Sequence, residues 1–155
     1  GLHSSASVVR APTAREVGGF FDGYRCTFGE DNWFWLQVAA RGPVGRIEEP
    51  LIVFHLDHGE LGFARRDAHP AAPALVRARQ LLAALPSDVR PRAAEYLAWF
   101  GAFTLRRRAH QVGLGAALRA MREEIPETVA LAGPRGRARM VAWTLVGAGM
   151  RALRR

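Results

Sequence analysis

Along roughly the first sixty residues the apolar positions fall in short runs between turn signals; from about residue 62 onward they recur at helical spacing. Residues 4–10 read as a short strand, with β-branched Val8 and Val9 crowding its end and Pro12 blocking a continued ladder. Residues 13–17 predict a short helix closed by Gly18-Gly19, after which Phe20 and Phe21 return the chain to a core. Asp22-Gly23 marks a turn. Residues 32–41 carry Trp35, Leu36, Ala39 and Ala40 on one helical face, and Gly42-Pro43 ends that helix. Residues 44–47 and 51–56 read as two short strands around the acidic turn Glu48-Glu49-Pro50. Four helices are then predicted, over 73–85, 91–112, 116–124 and 134–155, punctuated by Pro86, Gly113 and Gly133.

The expected fold class is therefore α/β: short mixed strands with helices over residues 1–62, followed by a helical C-terminal extension over 63–155. With 155 residues the chain can bury a full domain core. No internal repeat, low-complexity segment, dinucleotide fingerprint or P-loop is present. The chain opens on Gly rather than Met, which reads as a piece of a longer polypeptide, and its start shows no signal-peptide pattern. Cys26 is the single cysteine, so an intrachain disulfide and a cysteine-built zinc site are both excluded; the residue reads as a small buried hydrophobe.

Charge changes this picture. All 22 cationic residues are arginine. Residues 1–60 hold eight acids against five arginines, a net −3, whereas residues 61–155 hold six against seventeen, a net +11. A surface so basic suits an anionic partner or a solvated arginine coat equally well. The 134–155 helix adds an apolar stretch, Val141 to Met150, between arginines at both ends. That stretch is too short to span a bilayer, which takes about 20 residues. It either packs on the domain with a basic outer face or lies in a membrane interface.

Several pieces of the first sixty residues occur in a recognisable order. Ser5 to Arg10 is followed by Glu16-Val17-Gly18-Gly19-Phe20, with Asp22 soon after; then come Gly29-Glu30-Asp31, Trp35-Leu36, Glu49-Pro50-Leu51 and Phe54 to His58. This ordered series resembles the acceptor-side, C-terminal half of family 2 glycosyltransferases of the A-type fold. The resemblance covers a little over a third of the chain. It implies transfer of a sugar from a nucleotide-diphospho-sugar to an acceptor hydroxyl, the acceptor being a glycan or lipid-linked, in cell-envelope polysaccharide or glycolipid synthesis. It also implies a cytoplasmic enzyme, or one peripheral on the inner face of a membrane through residues 134–155.

The resemblance assigns roles. Inverting transfer needs a base for the acceptor hydroxyl, and a carboxylate within hydrogen-bond reach serves. The family's Glu-Asp pair makes Asp31 that base and Glu30 its support. Asp is also a common N-cap, and at a helix start the two roles are compatible. Ser5 and Ser7 lie on the strand that lines the family's acceptor cleft, against a plain packing role for small strand residues. Trp35 matches a buried helix aromatic, while Trp33 lies off that face, where a ring could stack on an acceptor sugar. His58, and next to it His55, stand where the family places a histidine near metal or diphosphate. The run Phe54-His55-Leu56-Asp57-His58 departs from the usual Tyr-Arg-x-His, and a loop histidine is the alternative for both.

The family uses Mg²⁺ or Mn²⁺, hard cations that want oxygen ligands. This sequence has no Asp-x-Asp triplet, so the main ligands and the donor-binding half are expected outside it, and this stretch alone is expected to be inactive. Two other classes stay open. One is a non-catalytic remnant that binds a glycan or a partner. The other is a basic helical protein of membrane surfaces, with nucleic acid ranked last because arginine content alone favours it.

Overall fold

In the computed structural model, residues 6–23, 29–51 and 70–153 are described. They form eight helices: α1 Ala11–Glu16, α2 Glu30–Ala39, α3 Pro73–Val76, α4 Ala78–Ala84, α5 Arg90–Gln111, α6 Leu114–Glu123, α7 Pro126–Leu131 and α8 Gly133–Ala152. No strand occurs among the described residues, so the expected α/β class, and with it the sheet of an A-type domain, gives way to an all-helical arrangement. The part of 4–10 that is described runs as unpaired chain into α1. Residues 44–47 are likewise unpaired and exposed, with Ile47 at 71%. Val44 and Ile47 have strand propensity, but a strand also needs a neighbour to complete its hydrogen bonds. No described segment runs beside them. Most of the second expected strand, 51–56, lies outside the described residues.

The helical core is built around α5 and α8, which run parallel and in close contact. Ala98 lies beside Gly136, Gly101 beside Met140, Arg106 beside Gly147, and Arg151 donates to the His110 carbonyl. The backbone of Arg106 occupies the space that a Cβ on Gly147 would need, so glycine is what lets the two helices come together there. Leu75, Leu81, Leu97, Leu105, Ile125 and Met140 fill the space between α3, α4, α5, α7 and α8, each almost fully buried. Burial of such a side chain is worth about 1.5–3 kcal/mol, more than helix propensity contributes per residue. Packing therefore dominates where these helices lie.

The predicted 73–85 helix is two helices that break at Arg77 (φ −112°, ψ 41°). A break frees groups that a continuous helix would pair at i and i+4, here the Leu75 carbonyl and the Arg79 amide. Both are satisfied by α7. Thr128 Oγ1 donates to Leu75 O at 2.6 Å, and Arg79 N donates to Glu127 Oε2 at 2.9 Å. These contacts connect residues about fifty positions apart, and α7 itself was not among the predicted elements.

Helix α2 is buried on opposite sides. Trp33 joins the large core and lies 5.0 Å from the Phe21 ring. Phe34 and Trp35 join Val17 in a second cluster, with Phe20 stacked on Phe34 at 4.5 Å. Arg41 ties the ends of α1 and α2 together through a 2.8 Å bond to Glu16 and a second bond to Gln37 O. The start of α2 is thereby held against the helical bundle.

Candidate functional site

Gly29 precedes α2 in the left-handed conformation, φ 79°. A Cβ at this position would come within 2.5 Å of the Ala72 Cβ and 3.0 Å of its Cα. Glycine thus meets both a backbone demand and a close approach, and it presses the first turn of α2 against the segment before α3. That turn carries Glu30 and Asp31, both half-buried, at the end of the helix where the peptide dipole favours negative charge.

Gly29, not Asp31, is the N-cap of α2, and no side chain caps it. Asp31 Oδ1 accepts from the Asn32 amide at 2.8 Å and from Asn32 Nδ2 at 3.0 Å. These two bonds fix the carboxylate's orientation through one oxygen. Oδ2 has no partner among the described residues. A carboxylate oriented through one oxygen, with no partner on the other, is suited to accept a proton from a hydroxyl placed against it. Glu30 differs: its Oε2 is buried and has no hydrogen-bond partner among the described residues, which is costly for a carboxylate away from water.

Tyr96 on α5 is close enough to feel Asp31. Its phenol is held above the ordinary 10.0, first by burial and then by the Asp31 carboxylate. A cleft of about 120 Å³ opens between α5 and the start of α2, where Asn32 lines it; Glu30, Asp31 and Tyr96 do not line it. Phe100 and Phe103 give it an apolar floor, while Asn32, Thr104, Arg107 and Gln111 supply polar groups. Arg107 is half-buried and has no hydrogen bond or ion pair among the described residues. Its neighbour Arg108 pairs with Glu124, whose second oxygen accepts from Ala71 N at 3.3 Å, so α5 and α6 together hold the segment that forms the cleft wall. The cleft thus offers apolar surface for a substrate body and a cationic group for an acidic substituent, beside a fixed carboxylate.

The other predicted site residues fall elsewhere. Ser7 is half-buried in the unpaired chain before α1, rather than on a strand, and does not line the cleft. Trp33 is 8% exposed and packed in the core, so its ring is not an open stacking surface in this arrangement. Ser5, His55 and His58 lie outside the described residues. The structure instead brings Tyr96 of α5 near Asp31, and Phe100, Phe103 and Arg107 of α5 to a cleft lined by the next residue, Asn32; no spacing motif marks these residues. The sequence signal available for them was the aromatic run at 96, 99, 100 and 103, followed by three arginines.

For a divalent cation, no group of three or more His, Cys, Asp or Glu that could hold a metal occurs among the described residues. Glu30 and Asp31 by themselves fall short of the oxygen set that Mg²⁺ or Mn²⁺ requires. The described residues therefore offer two neighbouring carboxylates near a polar cleft, and a metal would need further ligands from elsewhere. Comparison with known proteins gives no matching family model, no curated relative and no similar solved structure.

Proposed function

We propose that this chain supplies the acceptor side of a glycosyltransferase, with Asp31 as the general base. The observation that carries this reading is the ordered series around Gly29-Glu30-Asp31, whose carboxylate stands at the start of α2 with one oxygen fixed and one open. An acceptor hydroxyl placed against Oδ2 gives up its proton as its oxygen attacks the anomeric carbon, and the nucleoside diphosphate leaves with the bonding pair. Glu30 accepts a second hydroxyl and orients the acceptor. The cleft beside Asn32 receives the body of the acceptor, with Phe100 and Phe103 beneath it and Arg107 at its polar side. None of these roles needs a sheet within the described residues; they need a rigid helix start beside an open cleft. The donor and its metal would be bound by a separate half.

The test is the coding sequence upstream of residue 1. A donor-binding half is expected there, with alternating strands and helices and an Asp-x-Asp triplet. An upstream sequence without these features leaves the carboxylate no donor sugar to act on and removes the enzyme reading.

A further inference from the structure

We propose that the outward face shared by α5 and α8 docks the protein onto an anionic lipid bilayer, with α8 lying in the plane of the interface. This is independent of the sugar-transfer reading.

Helix α8 contacts the bundle through Gly136, Met140, Thr144 and Gly147, and its opposite side is bare. From Arg135 the stripe runs through Arg139, Ala142 and Val146 at spacings of four, three and four residues, with Leu153 seven residues further on; Leu145 adjoins them. Leu145 is 55% exposed, Val146 51% and Leu153 90%. The stripe is therefore cationic over its first turns and apolar over the rest. No helix among the described residues is long and apolar enough to cross a membrane, so this amphipathic surface fits attachment rather than spanning.

Helix α5 extends the same face. Arg106 lies over the Trp143 ring at 5.7 Å and reaches Met150 Sδ at 3.5 Å, which joins the two helices on this side. One and two turns earlier are Phe103 and Trp99, both exposed and stacked on each other at 5.9 Å. Aromatic rings beside arginines suit the headgroup level of a bilayer, where the ring meets the acyl boundary and the guanidinium meets phosphate. Long arginine stems can keep the charge at that level while their carbons follow the apolar surface.

Charge decides between occupants. Arg106, Arg135 and Arg139 stand on this face, and the one carboxylate in the sequences of α5 and α8 is Glu95. Two copies of this face would set arginines against arginines, which opposes a dimer. A nucleic acid would answer the charge but leave Leu145, Val146 and Leu153 in water. An anionic bilayer answers both.

The test is co-sedimentation of the full chain with vesicles of phosphatidylcholine alone and with added phosphatidylglycerol. Binding is expected only with the anionic lipid. Arg135→Ala and Arg139→Ala are expected to weaken it roughly fivefold each. Leu145→Glu with Val146→Glu, both at exposed positions, is expected to abolish it while the helical circular dichroism is unchanged. In the unsubstituted protein, lipids brominated on their acyl chains are expected to quench tryptophan emission as Trp99 approaches. Absence of binding to the anionic vesicles overturns the proposal. So does binding that the glutamates leave intact without quenching, and so does a concentration-dependent dimer that the glutamates dissociate.

Discussion

At the scale of single residues, the Asp31 carboxylate is felt by Tyr96. Burial and the nearby carboxylate both disfavour the phenolate, so Tyr96 keeps its proton above pH 10.0 in the folded protein. The unfolded chain releases that proton first. As pH rises past 10.0 the unfolded state therefore binds fewer protons than the folded one, and this group's contribution lowers stability. In a Tyr24→Phe background, which leaves Tyr96 as the only tyrosine, ultraviolet titration should give a midpoint above 10.0. Adding Asp31→Asn should move that midpoint down only part of the way, because burial is the larger cause. A midpoint insensitive to Asp31→Asn would separate the two side chains. The Glu30-Asp31 pair was legible in the sequence because its neighbours form an ordered series. Tyr96 and Arg107 were not, since tertiary packing of α5 brings the first near Asp31 and the second to the cleft.

At the scale of elements, helix ends were the most legible feature. Pro73, Gly113 and Gly133 each stand at or beside a boundary of an observed helix, for reasons local to the backbone. The break at Arg77 was not local. It persists because Thr128 and Glu127 receive the groups it frees, and no window around residue 77 contains them. Thr128→Val keeps the shape of the side chain and removes the donor to Leu75 O, so it should cost about 1–3 kcal/mol in chemical denaturation. An unchanged midpoint would mean that the break needs no support from α7. Helix α7 escaped prediction because six residues are too few to display a period. The expected strand at 44–47 failed for the complementary reason: its residue types suit a strand, but the described chain gives it no partner.

The same scale separates two glycines seven and nine residues beyond Met140. A Cβ on Gly147 would overlap the Arg106 backbone, so Gly147→Ala must push α8 away from α5 and should cost roughly 2 kcal/mol or more. Gly149 has open space around it, and Gly149→Ala should stabilise the helix by roughly 0.5–1 kcal/mol. Thermal melts of the two variants should move in opposite directions. Equal shifts would show that the close approach of α5 and α8 does not govern this region.

At the scale of the whole molecule, one core joins Trp33 of α2 to residues 71–140, so the start of α2 is fixed by the helices that follow it in sequence. Hydrophobic periodicity announced most of those helices but could not say that they would hold a cleft against Asp31. The sequence pattern also suggested a sheet that the described residues do not form. The proposed function rests on one carboxylate held at a helix start, next in sequence to Asn32 of a cleft lined from α5. The most direct measurement is the rate of sugar transfer by Asp31→Asn in the longer polypeptide that the proposed function requires, with a donor-binding half upstream. The account predicts a fall of roughly 100-fold or more, with nucleotide-sugar binding retained. Turnover at the rate of the unsubstituted protein would contradict it.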